Sequence, residues 1–193
     1  NDELDLEFTV SDNILRNARQ MVRSLAYDIC EMPFTTYICA KDYGQKFTAL
    51  PTFITRNFHH GAIHVDTTAG ISSPKDLEGK TVGVVRGYTV TTGVWARTVL
   101  SIDHGVDLTK VQWTCTDDEH VADFRLPSFA DYDSKGCNFT ELFEQNKIVA
   151  AVGTLPEPVP KVERLLPDAV NAGFNSFRNT GVYPVNHAVV VKD

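Results

Sequence analysis

Residues 71–102 constrain the fold more than any other part of the chain, because they carry the signals of a helical turn, a strand and a longer helix in succession. Ser73 followed by Pro74 is typical of an N-cap and a first helical position, and Gly79 is placed to end that turn. Residues 81–85 are rich in β-branched side chains and predict a strand. This order is typical of a βα unit in an α/β protein.

The helix after this strand follows Gly87 and runs to Gly105. Its start contains Tyr88, Thr89 and Thr91, whose hydroxyl groups stand where the first turn of a helix leaves backbone N–H groups unpaired at the positive end of the dipole. This junction is suited to binding a small anion. The alternative is an ordinary βα unit in which the threonines only cap the helix, and the spacing alone favours that alternative.

The composition excludes some classes of partner. The chain has 193 residues and a net charge of -7, which argues against nucleic acid or an anionic membrane as the main partner, since phosphate binding needs a basic surface. The negative net charge does not exclude an anionic ligand, because a few arginines inside a cleft outweigh a diffuse negative surface locally. No apolar run approaches the length of a membrane span, and the first residues lack the basic and apolar regions of a signal peptide.

The cysteines are predicted to be reduced, because their spacing fits neither a metal site nor a CxxC pair. The four are Cys30, Cys39, Cys115 and Cys137. A disulfide between Cys30 and Cys39 is the alternative.

Strands and helices are predicted to alternate along most of the chain. The predicted strands lie at residues 4–10, 26–32, 81–85, 111–114 and 148–152, with a last strand ending residues 177–191; residues 50–65 are predicted to be extended, and a short segment lies around 162–166. The predicted helices begin at Ser11 or Asp12, at Pro33, at Tyr88 and at Asn138, where Glu141 completes a capping box. Residues 116–136 are predicted to form a surface loop or a pair of short strands.

This alternation predicts an α/β fold in which helices flank mainly parallel sheets. A helix-to-strand element recurs in residues 12–32 and 139–152, as if two lobes shared it. Ligands bind such sheets at the carboxyl ends of the strands, so we expect a ligand cleft between the lobes. Glu31, residues 56–60, the helix start at Tyr88 and the last strand are expected near that cleft.

Four segments carry a resemblance to a known family: ALPTFITRNFHHGAIHV, SPKDLEGKTVGV, TGVWARTVL and FRNTGVYPVNHAVVV. Together they resemble the 4,5-dihydroxyphthalate decarboxylase family, whose members have the type II periplasmic-binding-protein fold and are often labelled as transport binding proteins. The likeness covers most of residues 4–192. It implies an incomplete first lobe at 1–80, a second lobe at 81–176 and a return strand at 177–193. Family members usually extend further at both ends, so we expect the chain to be incomplete there.

Aromatic decarboxylation, which the resemblance implies, needs a carboxylate held out of the plane of the ring. The planar, two-pronged guanidinium of arginine suits that task. Arg56, Arg97 and Arg178 lie in family-like segments and are the candidates. The alternative for each is a surface ion pair or a solvated charge, and Arg97 is expected to face outward because it lies two positions past Trp95.

A proton donor for the ring carbon is the second requirement, and histidine titrates near neutral pH. His60 and His187 lie in the two most family-like segments and are the predicted donors or ligand contacts. The alternative for each is a hydrogen-bonded structural histidine. Glu31 is predicted to orient a histidine or to accept from a ring hydroxyl, unless it only caps the next helix.

Two functions from different classes follow from these residues and the resemblance. The first is a cofactor-independent, cytoplasmic decarboxylase of a dihydroxylated aromatic dicarboxylate, acting in aromatic compound catabolism such as phthalate degradation. The second is a periplasmic solute-binding protein of the ABC-transporter type, which closes its lobes on a small anionic or aromatic ligand without chemistry. A divalent metal is a further alternative, and its candidate ligands are His59, His60, His64, His187 and Glu31.

Overall fold

The computed structural model describes residues 5–11 and 13–193, which form two β-sheets with helices packed against them. The strands are β1 (Ile29–Pro33), β2 (Phe47–Arg56), β3 (Ile63–Asp66), β4 (Thr81–Val84), β5 (Gln112–Cys115), β6 (Ala130–Asp131), β7 (Ala150–Val152), β8 (Val162–Arg164) and β9 (Val185–Lys192). The α-helices are α1 (Ile14–Ser24), α2 (Phe34–Asp42), α3 (Thr91–Ile102), α4 (Phe139–Glu144) and α5 (Ala169–Thr180). None of the helices in the described residues is both long enough and apolar enough to cross a membrane.

The two sheets differ in the direction of their strands. The smaller sheet has the order β1-β9-β2, and β9 pairs with both neighbours in the antiparallel sense. The larger sheet has the order β6-β5-β4-β7-β3-β8, in which β6, β5, β4 and β7 are parallel and β3 is antiparallel to β7 and β8. The predicted α/β fold with flanking helices is thus present, but its sheets are mixed instead of mainly parallel. The physical reason is that parallel pairing needs crossover connections, which α3 and α4 supply only within the larger sheet.

The chain crosses between the two sheets earlier than the sequence predicts. We call the smaller sheet with α1 and α2 lobe 1, and the larger sheet with α3, α4 and α5 lobe 2. Residues 57–62, the crossing segment, lead from β2 into β3, and β3 belongs to lobe 2 because it pairs with β7 and β8. The first boundary thus lies before β3 and not at residue 80. The return to lobe 1 runs through residues 181–184, which follow α5, a helix that is absent from the predicted elements.

The amino-terminal strand predicted at residues 4–10 does not form over residues 5–10, which have no regular structure. Phe8 is 80% exposed and Val10 is 94% exposed, so the alternating pattern has no neighbouring strand or core to pair with. The first helix is capped by Asn13, whose side chain accepts from the N–H of Arg16 at 3.2 Å. The predicted cap Asp12 and residue 4 lie outside the described residues.

Each lobe has its own apolar core. In lobe 2, Val82, Val84, Leu100 and Trp113 are fully buried in the cluster that joins the larger sheet to α3. In lobe 1, the core lies between the smaller sheet and its helices and includes the fully buried Phe47. Burying a large apolar side chain contributes about 1.5–3 kcal/mol, so these cores hold the strand ends that shape the site.

The cysteines of the described residues are all free thiols, and Cys30 is not bonded to Cys39. Burial raises the pKa of both thiols to about 11. It also raises the pKa of Cys115 to about 12. These three thiols therefore stay protonated at neutral pH.

Candidate functional site

Two adjoining cavities form a cleft that is lined by lobe 2 and by the segments connecting the lobes, and Asn186 of β9 is the residue that lobe 1 contributes. The large cavity has a volume of about 1090 Å³ and the small cavity about 580 Å³, and they share Thr92 and residues 153–157. The small cavity lies where β4, β5 and β7 end, because it is lined by Val85, Thr116 and the shared segment, which follow those strands. The cleft thus lies at the carboxyl ends of parallel strands, where α/β sheets bind ligands.

Gly153 lets the chain turn from β7 into the cleft. Its φ is +120°, and a Cβ atom placed on it would lie 2.7 Å from the Cβ of Val85. Its N–H donates to the carbonyl of Ala62 at 2.8 Å, which binds the shared segment to the crossing segment. Both the backbone conformation and the close approach therefore exclude a side chain at this position.

One wall of the large cavity is aromatic. The ring of Phe58 lies 5.3 Å from that of Phe174 and 4.9 Å from that of Tyr183, and Phe177 lies 6.4 Å from Tyr183, between ring centroids. We call these four rings the aromatic wall. Gly173 makes the packing possible, because a Cβ atom there would lie 2.5 Å from Cγ of Phe58. The wall offers a surface on which the ring of a ligand can stack.

The polar side chains of the large cavity include His59, His64, Arg164 and Asn186, together with Glu157, which also lines the small cavity. Nε2 of His59 lies 3.2 Å from Oδ1 of Asn186. Burial lowers the pKa of His59 and of His64, so both imidazoles are neutral at neutral pH. None of the ion pairs among the described residues includes Arg164, so its guanidinium is available to an anion in the cavity.

The small cavity contains a second guanidinium, that of Arg86. The backbone of Arg86 has a φ of +74°, and its N–H donates to Oγ1 of Thr116 at 2.9 Å. Burial lowers the pKa of Arg86, and the charge of Asp117 acts in the opposite direction. The group remains cationic at neutral pH, so each cavity of the cleft offers one positive charge.

Arg56 and Arg178, both predicted to hold a carboxylate, are not among the residues that line the cleft. The guanidinium of Arg56 lies 4.6 Å from the centroid of the Tyr183 ring and donates to the Tyr183 carbonyl at 2.5 Å. Arg56 therefore supports the aromatic wall. Arg178 is exposed on α5 and donates to Oδ1 of Asn175 at 2.8 Å.

His60 lies next to His59 in the sequence but does not line the cleft. Its Nε2 lies 2.8 Å from Oδ2 of Asp103, and Oδ1 of Asp103 accepts from Ser176 of α5 at 2.9 Å. The side chain is 4% exposed, and its Nδ1 has no hydrogen-bond partner among the described residues. His60 thus ties the crossing segment to the end of α3 and to α5.

His187 forms a close pair with Glu31 in lobe 1. Its Nδ1 lies 2.6 Å from Oε1 of Glu31, and the side chains are 22% and 34% exposed. Successive side chains of a strand point to opposite faces, so His187 lies on the other face of β9 from Asn186, which lines the large cavity. Glu31 therefore contacts a histidine, but outside the lining of the cleft.

The turn before α3 already binds an anion, and that anion is a carboxylate of the protein itself. The N–H groups of Tyr88 and Thr89 and the hydroxyl of Thr89 all donate to Glu119, the Thr89 N–H at 2.9 Å. Glu119 is 3% exposed and lies within residues 116–136, so the prediction that this segment is a surface loop is wrong at this point. Its carboxylate is buried because it satisfies these backbone donors.

Thr91 joins the two lobes. The hydroxyl of Thr35 in α2 donates to the carbonyl of Thr89 at 2.6 Å and lies 2.8 Å from the hydroxyl of Thr91. Because Thr35 has one hydroxyl hydrogen, the Thr91 hydroxyl is the donor in the second bond. Thr91 is 3% exposed, and the next residue, Thr92, is the one that lines the cleft.

Arg97 is buried, and the prediction that it faces outward is wrong. It is 4% exposed and lies on the buried side of α3 with Gly93 and Leu100. Its guanidinium lies 3.9 Å from the centroid of the Tyr88 ring and 5.5 Å from that of Trp113. The two aromatic rings replace part of the hydration that the buried charge loses.

Several residues that line the cleft are neighbours of predicted site residues. Asn186, which sequence reasoning missed, stands beside His187, while His59, which the sequence offers only as a metal ligand, stands beside His60. The family-like segments indicate which parts of the chain approach the cleft, but the sequence carries no signal for which of two adjacent side chains points into it. No predicted site residue is adjacent to Arg164 in the sequence. The sequence marks Arg164 only as a basic residue that follows three prolines.

The candidate metal ligands of the sequence are separated in the structure. His60 contacts Asp103 and His187 contacts Glu31, while His59 and His64 line the large cavity. Within residues 5–11 and 13–193, no three side chains of the types His, Cys, Asp and Glu are grouped so that they could hold a metal ion.

The sequence matches the model of the NMT1/THI5 like family over residues 3–125. The chain belongs to this family. This NMT1/THI5-like chain is 28% identical over 184 residues to a 4,5-dihydroxyphthalate decarboxylase from Comamonas testosteroni, with 88% of the chain and 55% of that protein covered. It is 38% identical over 92 residues to a 4,5-dihydroxyphthalate decarboxylase from Pseudomonas putida, with 47% of the chain and 35% of that protein covered. The resemblance inferred from the four sequence segments is confirmed, and the chain spans about half the length of the first of these relatives.

The fold of the NMT1/THI5-like chain is similar to that of solute-binding proteins. The alkanesulfonate-binding protein SsuA from Xanthomonas axonopodis pv. citri, bound to MOPS, superimposes with a TM-score of 0.50 at 12% identity, over 91% of this chain and 52% of that one. The periplasmic aliphatic sulphonate binding protein SsuA from Escherichia coli gives a TM-score of 0.50 at 10% identity, over 90% and 47%. These likenesses confirm the two-lobed α/β fold.

Proposed function

We propose that the full-length protein decarboxylates a dihydroxylated aromatic dicarboxylate of the 4,5-dihydroxyphthalate type in the cleft formed by the two cavities. The observation that carries the proposal is the large cavity, where the unpaired guanidinium of Arg164 and two neutral histidines are combined with the aromatic wall. The names of the two relatives support this substrate class.

The cleft suits a flat ring that carries two negative charges. The ring stacks on the aromatic wall, and one carboxylate accepts two hydrogen bonds from Arg164. The second carboxylate extends toward the small cavity, where Arg86 supplies the other positive charge. The two cavities adjoin at Thr92 and residues 153–157, so the proposed ligand can extend from one cavity into the other.

The reaction replaces a carbon–carbon bond by a carbon–hydrogen bond. The ring hydroxyl para to the reacting carboxylate loses its proton and donates electron density, and the ring carbon takes up a proton. The bond to the carboxylate then breaks, its electron pair restores the aromatic ring, and carbon dioxide leaves. The step needs a base for the hydroxyl and an acid for the ring carbon, and it exchanges no electrons with another molecule, so we propose no redox cofactor.

His59 and His64 are the candidates for these two proton transfers. Each has one nitrogen engaged, His59 with Asn186 and His64 with the backbone of Gly153. The other nitrogen of each neutral ring is then an acceptor. One histidine takes the hydroxyl proton and the other, once protonated, delivers a proton to the ring carbon, so one proton is taken from solvent for each carbon dioxide released.

Incubation of the full-length protein with 4,5-dihydroxyphthalate tests the proposal, with release of carbon dioxide and protocatechuate as the expected result. His59→Asn and His64→Asn are each expected to reduce kcat at least about 100-fold, the usual contribution of acid–base catalysis. His187→Ala serves as the comparison, because His187 lies outside the cleft lining. If His187→Ala loses turnover while the two cleft variants keep it, the reaction must be assigned to the pair of His187 and Glu31 and not to the cleft.

The fold favours a second candidate function, that of a non-catalytic solute-binding protein. The neighbours with TM-scores of 0.50 are proteins that bind sulfonates, which are small anions like the proposed substrate. The same incubation separates the two functions, since tight binding of an aromatic or sulfonate anion without any turnover would favour the second. Location follows from the outcome: we expect a cytoplasmic protein for the enzyme and a periplasmic one for the binding protein.

A further inference from the structure

The turn before α3 encloses the carboxylate of Glu119. Three donors converge on it, the N–H groups of Tyr88 and Thr89 and the hydroxyl of Thr89. The hydroxyl of Tyr132 approaches the same carboxylate at 3.4 Å. Gly87 leaves the space in which the carboxylate lies, because a Cβ atom there would be 2.8 Å from Oε1 of Glu119. The donors and the space together form an enclosed site for a carboxylate.

A buried cation beneath the turn adds an independent reason for an anion at this place. Arg97 is 4% exposed, and its Nη2 donates to the carbonyl of Tyr88 at 2.5 Å. Its Nη1 has no hydrogen-bond partner among the described residues. Burial lowers the pKa of Arg97, and the negative charge of Glu119 acts in the opposite direction. An anion in the turn therefore compensates a charge that would otherwise be buried alone.

Glu119 reaches the turn because its loop is attached to lobe 1. Arg23 of α1 donates to the carbonyl of Glu119 at 2.8 Å and to that of His120 at 3.2 Å. The imidazole of His120 lies 2.9 Å from the hydroxyl of Thr36 in α2. These bonds hold the backbone of the loop, so the carboxylate is presented to the turn by a support that does not depend on the carboxylate itself.

We propose that the turn formed by Gly87, Tyr88 and Thr89 is a binding site for small carboxylate ions, which Glu119 occupies as an internal ligand. When the Glu119 carboxylate is removed, a planar carboxylate such as formate binds in its place. This site is separate from the proposed decarboxylation. While Glu119 fills it, the carboxylates of a substrate are left to the guanidinium groups of the cleft.

Formate rescue of Glu119→Ala in the full-length protein tests this site. The variant loses three hydrogen bonds to a buried charge, so its urea midpoint is expected to fall below that of the wild type. Sodium formate is then expected to raise the midpoint in a saturable manner relative to sodium chloride at equal ionic strength. At a formate concentration ten times the Kd, the ratio of folded to unfolded protein rises about elevenfold.

Three controls make the outcome specific. The wild type and Glu144→Ala, which removes an exposed carboxylate of α4, are expected to show no difference between formate and chloride. Glu119→Gln keeps the turn filled by an amide, so formate is expected not to rescue it. Equal midpoints of Glu119→Ala in the two salts would overturn the proposal. If Glu119→Ala is unfolded in chloride, recovery of folded protein in formate supports the site, and failure to recover it refutes the site.

Discussion

Acidification from about pH 7.5 to about pH 5 is expected to destabilise the protein through His120. The side chain is 2% exposed, and its Nδ1 lies 2.9 Å from Oγ1 of Thr36. Burial and, to a smaller extent, the positive charge of Arg19 lower its pKa from 6.5 to about 4. The folded state therefore holds the neutral imidazole, whereas the unfolded chain protonates it readily.

The sign and size of the effect follow from the two pKa values of His120. Below pH 6.5 the unfolded state binds a proton that the folded state does not bind until about pH 4. The stability conferred by the neutral ring is therefore complete above pH 6.5 and is lost as the pH falls toward 4. At about 1.36 kcal/mol for each pKa unit, the loss is about 2 kcal/mol at pH 5 and about 3 kcal/mol below pH 4.

Urea unfolding of the wild type and of His120→Gln at the two pH values measures this contribution. Glutamine stays neutral and can still form a hydrogen bond to Thr36. The pKa values of His59, His64 and His104 are also lowered, mainly by burial. These residues destabilise both proteins to the same extent on acidification, so their contributions cancel when the two proteins are compared. The wild type is expected to lose about 2 kcal/mol more than the variant. Equal losses would refute the assignment of the acid sensitivity to His120.

Three further substitutions test the cleft and its supports. Arg164→Met is expected to weaken binding of 4,5-dihydroxyphthalate about 10- to 100-fold in isothermal titration calorimetry, whereas Arg178→Met on the exposed side of α5 changes it by less than about twofold. Asp103→Ala leaves the buried His60 without its partner and is expected to cost about 1–3 kcal/mol in urea unfolding, and an unchanged midpoint would contradict this role. Gly173→Ala is expected to destabilise the protein by about 1–2 kcal/mol in thermal unfolding, despite the helix preference of alanine, because the new Cβ would lie 2.5 Å from Phe58. A more stable variant would show that the ring moves aside freely.

Local signals in the sequence were enough to predict the elements that build the centre of lobe 2. The β-branched residues at 81–85 form β4, which the structure places at residues 81–84, and Asn138 caps α4 through the N–H of Thr140. In lobe 1, Pro33 likewise precedes α2 directly. Such signals depend on neighbouring residues only, so they survive without knowledge of the rest of the fold. Helix α5 shows that one such signal was overlooked, since Val170, Phe174 and Phe177 recur at helical spacing.

Tertiary structure alone decided which side chains line the cleft. His59 lines the large cavity while His60 contacts Asp103, although the two are adjacent in the sequence. Asn186 and His187 divide in the same way on β9, because neighbouring side chains of a strand point to opposite faces.

The anion site before α3 shows the same division between sequence and tertiary structure. The hydroxyl-rich helix start after Gly87 already indicated an affinity for an anion. That the anion is Glu119, 30 residues further along the chain from Thr89, depends on the attachment of its loop to lobe 1. The sequence by itself thus determined the βα units, the family and the chemical character of the turn. The folded chain decided which group satisfies that turn, because a contact between distant segments follows from packing and not from local residue pattern.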